Sequence, residues 1–82
     1  MSNEEILAEI NQLFIAFFKD ENLIISIETT ANDIPDWDSF SHMELMSKIE
    51  EHFNIHIPFT IIMEFNQVGD IVIYLNKQLL EN

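Results

Sequence analysis

Apolar residues recur at helical intervals in three stretches of the chain. Ile6, Ile10, Leu13 and Phe17 repeat every three or four positions, Leu7, Phe14 and Phe18 widen the stripe, and Glu4, Glu5, Glu9 and Gln12 fall off it. This is the pattern of an amphipathic helix with one face in a core. Ser2 stands three residues before Glu5, the spacing of a capping box, so the first helix is predicted to begin there. From Ser39 onward, a rotation of about 100° per residue gathers Leu45, Met46, Ile49 and Phe53 on one arc. Phe40 falls almost opposite and Met43 on the flank, outside that stripe. Val68, Ile71, Val72, Leu75 and Leu79 form the third stripe, with Asn66 as predicted cap and Lys77 near the C-terminal end, where a cation suits the helix dipole.

Between the second and third stripes, Ile55 and Ile57 alternate with His56 and point to one side, and Pro58 is predicted to open a short helix at its first position. The apolar run Phe59, Ile61, Ile62, Met63 and Phe65 follows. From 19 to 38 the pattern is irregular. The β-branched segment 23–28 has the composition of a strand but lacks a pairing partner. It reads as a long ordered loop that packs Leu23, Ile25, Ile27 and Ile34 onto the helices. Pro35 biases Ile34 away from helix. Trp37 is either a loop anchor or a partner contact, and anchoring is the commoner fate of a large aromatic. The predicted fold is all-α, a small four-helix bundle of three longer helices plus one short helix, with a long loop between helices one and two. One domain, 1–82, accounts for the chain.

Composition narrows the function. At 82 residues the chain buries only roughly 60% of its unfolded surface, which leaves room for one modest core and no deep catalytic cleft. With 48% apolar and 22% charged residues it is not disordered. Fifteen acidic against three basic residues give a net charge of -12. That argues against nucleic acid, whose phosphates are bound by Lys and Arg, and favours partners with basic surfaces. The absence of cysteine means that any thiol must arrive on a prosthetic group. Neither a secretion signal nor a run of membrane-spanning length stands out, so a cytoplasmic monomer is the expectation.

The candidate chemistry lies where the acidic, proline-marked loop 33–38 meets the second helix at Ser39. A helix start offers unpaired backbone N–H groups and the positive end of the dipole, so a phosphoester on Ser39 would be locally favoured. Asp36 and Asp38 oppose it by like-charge repulsion unless a divalent cation or a basic partner is present. Phe40 and Met43, ringed by His42 and Glu44, form either a small docking surface or a contact with the loop.

Asp38-Ser39-Phe40, the helix from Met43 through Glu50, Glu51 and Phe53, and the downstream Ile57-Pro58 and Val68-Gly69-Asp70-Ile71 together resemble an acyl carrier protein. The resemblance covers essentially the whole chain. It implies that Ser39 receives a 4′-phosphopantetheine arm from coenzyme A through a magnesium-dependent phosphopantetheinyl transferase. The thiol of that arm then carries acyl groups as thioesters. It makes Asp38 the motif neighbour of the attachment serine. Glu44, Glu50 and Glu51, with Phe40 and Met43, become candidates for the surface read by partner enzymes that load, transfer or condense acyl groups. The protein itself would be no enzyme. The chain departs from the pattern in its apolar segment 59–65, where many carriers are acidic. Trp37 and Ser41 further suggest a discrete carrier of a specialised pathway.

Other chemistries fit less well. An EF-hand across 33–44 has Pro35 and Trp37 at liganding places and Asp38 where the turn needs glycine. A Ser39–His42 hydrolase lacks the nucleophile elbow, and His42 reads as a solvent-facing neighbour of the site. A zinc pair of His52 and His56 requires one helix across both, and Pro58 argues against it. The remaining alternative to a carrier is an acidic helical interaction module without a prosthetic group.

Overall fold

The computed structural model describes residues 1–81. It contains α1 (Asn3–Phe18), a 3₁₀ turn (Ala31–Asp33), α2 (Ser39–Phe53), α3 (Phe59–Glu64) and α4 (Val68–Glu81). Among the described residues there is no strand, so the expected all-α bundle of three longer helices and one short one is what forms.

Local chemistry sets the helix ends. The Ser2 hydroxyl accepts from the Glu5 N–H at 3.1 Å while the Glu5 carboxylate accepts from the Ser2 N–H at 2.9 Å, closing the predicted capping box. These bonds, first the one from the Ser2 backbone, lower the pKa of Glu5. Lys19 and Asn54 end α1 and α2 in left-handed backbone conformations, φ 55° and 54°.

The core is built from Ile6, Ile10 and Phe14 of α1, Leu45, Met46 and Ile49 of α2, and Val68, Ile71, Val72 and Leu75 of α4. Leu13, Phe17, Phe53 and Leu79 pack around it half-buried. The centre of the α1 stripe therefore runs through Phe14 rather than Leu13. From α3 only Ile62 is buried. Pro58 stands one position before the first residue of α3 rather than on it.

The long loop is ordered against the bundle. Asn11 holds it to α1, its side-chain oxygen accepting from the Ile25 N–H at 2.8 Å and its amide donating to the Leu23 carbonyl at 3.4 Å. Ile25, Ile34 and Trp37 are buried, but Ile27 is 53% exposed, against expectation. The reason lies in its backbone. The Gly69 N–H donates to the Ile27 carbonyl at 2.7 Å and the Val68 N–H to the Thr29 carbonyl at 2.9 Å, so this segment serves as acceptor for the start of α4 and turns its side chain outward. The cap of α4 is likewise not the predicted Asn66 side chain. The Asp70 carboxylate reaches back and accepts from the backbone N–H groups of Asn66 and Gln67 at 2.9 and 3.2 Å.

Candidate functional site

The loop that packs Ile34 and Trp37 into the core delivers the chain to the head of α2. Asp38 is the cap there. Its carboxylate accepts from the N–H groups of Phe40 at 3.0 Å and Ser41 at 2.9 Å. The Ser41 hydroxyl accepts from the Asp38 N–H at 2.9 Å and donates to the Asp36 carbonyl at 2.9 Å. The Asp38 pKa is lowered, chiefly by the Ser41 N–H; desolvation opposes this, and the Ser41 hydroxyl and the Phe40 N–H add to the lowering. Ser39 is the first residue of α2. It is exposed, and no hydrogen bond among the described residues holds its hydroxyl. This is the condition that esterification from outside requires. One expectation changes in detail: the N–H groups of Phe40 and Ser41 already belong to Asp38, so they are not waiting for a phosphate on Ser39.

Behind the serine stands a linkage that the helical pattern did not reveal. Trp37 is 6% exposed and meets Phe14 edge-on, with ring centroids 5.2 Å apart. Its indole N–H donates to His42 Nδ1 at 3.1 Å, and the two rings lie side by side with centroids 5.9 Å apart and planes inclined by 26°. Because Nδ1 accepts, the imidazole proton lies on Nε2, which donates to the Ile62 carbonyl at 2.9 Å. His42 thus ties the loop, α2 and α3 together and is not the solvent-facing neighbour expected from its place beside the serine. The three elements border an open cavity of about 170 Å³ whose lining includes Ser39 itself, Trp37, His42, Met63 and Phe65.

The predicted partner residues separate into two groups. Phe40 is 77% exposed, and Glu44 and Glu51 are exposed on α2. Met43 instead packs half-buried against the core. Glu50 is also drawn inward. Its carboxylate accepts from the Ile57 N–H at 2.8 Å and lies 3.3 Å from His56, holding the turn between α2 and α3. The resemblance grouped Glu50 with Glu51, and the later turn of the chain distinguishes them. Phe59 and Met63, 62% and 55% exposed, extend apolar surface along α3, and Met63 shares a cavity lining with Ser39.

Comparison with known proteins places this geometry. A family model described as a phosphopantetheine attachment site matches residues 36–75. The chain is 30% identical over 74 residues to the acyl carrier protein of Phytoplasma australiense, covering 90% of this chain and 97% of that one. It is 29% identical over 76 residues to the acyl carrier protein of Rhodococcus erythropolis, covering 93% and 84%. It superposes on the solution structure of the holo acyl carrier protein of Geobacter metallireducens with a TM-score of 0.84 and 33% identity, over 92% of this chain and 86% of that one. The interaction module without a prosthetic group is therefore not favoured. The chain belongs to the acyl carrier protein family, as a non-catalytic carrier with a covalently attached phosphopantetheine.

Proposed function

We propose that Ser39 is the attachment residue and that the whole chain acts as one monomeric carrier domain. The observation that carries this reading is the unbonded, exposed Ser39 hydroxyl at the head of α2, inside the matched attachment region. When bound, the 4′-phosphopantetheine supplies a thiol that holds an acyl group as a thioester, chemistry the cysteine-free chain lacks. The residues around Ser39 hold the loop and helix in register. Asp38 caps the helix, and the carboxylates of Asp36 and Asp38 call for a cation or a basic surface when the phosphate arrives.

Partners are a phosphopantetheinyl transferase and biosynthetic enzymes that load, transfer or condense acyl groups. Their basic surfaces meet Glu44 and Glu51, with Phe40 as the apolar contact. A tethered substrate sits at high effective concentration near each docked enzyme while docking itself stays weak. The cargo belongs to fatty-acid, polyketide or related biosynthesis, and a cytoplasmic setting completes the reading. Intact-mass measurement after co-expression with a broad-specificity transferase tests it. Wild type gains the mass of one phosphopantetheine and Ser39→Ala gains none. Equal gain by both would move the site elsewhere.

A further inference from the structure

α3 has little of its own to hold it in place. With six residues it is too short to be stable on its backbone bonds alone, Pro58 precedes it without a side-chain cap, and Ile62 is its one buried residue. What fastens it to the head of α2 is His42. Nε2 of that ring donates to the Ile62 carbonyl at 2.9 Å, and among the described residues this is the only hydrogen bond that joins α3 to another helix. Nδ1 accepts from the Trp37 indole, which Phe14 braces edge-on from α1, so the tie runs from the core through the loop to α3. We propose that His42 is a positioning residue for attachment of the arm: by fastening α3 beside the head of α2 it preforms the surface on which a phosphopantetheinyl transferase docks, an inference that rests on Ser39 being the attachment residue.

In the transfer itself the Ser39 oxygen bonds the phosphorus of the arm, the bond to the adenosine bisphosphate of coenzyme A breaks, and the hydroxyl proton passes to a base of the transferase. An enzyme that delivers to Ser39 must cover the exposed groups around it, which are Asp36 and Asp38 on the loop, Phe40 on α2 and Met63 on α3. These are the three elements that His42 joins. A short helix with one buried side chain opens at low cost, and an enzyme that docks only on the closed arrangement loses apparent affinity in proportion to the open fraction. The net worth of one hydrogen bond shifts such an equilibrium by roughly 2- to 12-fold. Docking carries that loss. The Ser39 backbone is set instead by the Asp38 cap, whose bonds to Phe40 and Ser41 involve no side-chain atom of His42, so the step inside the docked complex keeps its rate.

The test is steady-state transfer from coenzyme A to the apo protein by a broad-specificity transferase, with loading confirmed by intact mass. His42→Ala is expected to raise KM for the carrier roughly 3- to 10-fold and to leave kcat within about twofold. Trp37→Phe keeps a ring against Phe14 but loses the N–H. It is expected to raise KM less, and it carries the same comparison if urea unfolding shows that His42→Ala is not folded. The double variant is expected to match His42→Ala, because Trp37 acts through His42. Amide exchange at Ile61 and Ile62, whose N–H groups both donate to the Pro58 carbonyl, is expected to speed up in His42→Ala relative to α2 and α4. Ile10→Val, a truncation in the buried face of α1, is expected to lower stability and leave KM unchanged. An unchanged KM in the folded variants, a fall in kcat alone, or an equal rise in KM for Ile10→Val overturns the positioning role. Effects of Trp37→Phe and His42→Ala that multiply in the double variant overturn the linkage as one unit. Failure of wild type to gain the arm's mass is a separate result, which overturns the attachment reading and this inference with it.

Discussion

α3 and α4 are both rich in apolar residues, and they use them differently. In α4 the large side chains of Ile71, Val72 and Leu75 point into the bundle, and the helix is anchored at its start by the loop carbonyls of Ile27 and Thr29. In α3 only Ile62 is buried, while Phe59 and Met63 face outward, Met63 on the cavity that Ser39 also lines. Folding explains the buried stripe of α4, leaving Ile73 and Leu80 outside it, whereas it accounts for only Ile62 in α3.

Truncation should separate the two helices most sharply. Leu75→Ala is expected to cost about 2–5 kcal/mol, as for other fully buried leucines, whereas Met63→Ala should stay within about 0.5 kcal/mol. Urea unfolding of both variants measures this, and similar losses would remove the distinction. The anchor of α4 is the next largest effect. A Cβ on Gly69 would lie 2.8 Å from the Ile27 carbonyl oxygen, a backbone atom that already accepts the Gly69 N–H. Gly69→Ala should therefore destabilise by about 1–3 kcal/mol despite the helical preference for alanine. A more stable variant would show that the loop yields freely.

The same contrast holds between adjacent carboxylates on α2. Glu50→Ala should lower stability by about 1–2 kcal/mol, because it leaves the Ile57 N–H without its acceptor. Glu51→Lys should leave stability nearly unchanged and slow association with partner enzymes, more at low salt than at high. A salt-independent effect of Glu51→Lys would place its role outside long-range attraction. The smallest expected effect is at the cap of α2. Because the folded-state pKa of Asp38 is lowered, its contribution is present above its ordinary value of 3.8 and is lost as the pH falls below that through the folded value. Amide exchange at Phe40 and Ser41 should speed up relative to the rest of α2 on acidification, and Asp38→Asn should flatten that dependence.

These pairs also show what could be read from the chain before its fold. The capping box at Ser2 and Glu5, the buried stripes and Trp37 as an anchor are local patterns or consequences of size, and the structure bears them out. The sequence pattern missed the structural role of Glu50 and misplaced Ile27, Asn66 and His42 for a common reason. Each has its role decided by a group that folding brings to it: the Ile57 N–H, the Gly69 N–H, the Asp70 carboxylate, and the Trp37 indole with the Ile62 carbonyl. Periodicity places a residue on a face but does not say which backbone group will arrive there. Ser39 was singled out from its position at a helix start, and the structure places it there, although its hydrogen-bonding surroundings differ from those first inferred.

The most direct test of the central claim is fragmentation mass spectrometry of the loaded protein, because Ser39 and Ser41 lie two residues apart and differ in what their hydroxyls do. Ser41 is engaged with Asp38 and Asp36, and Ser39 is free. The account predicts the phosphopantetheine on Ser39 alone. Its presence on Ser41, or on any other residue, would contradict it.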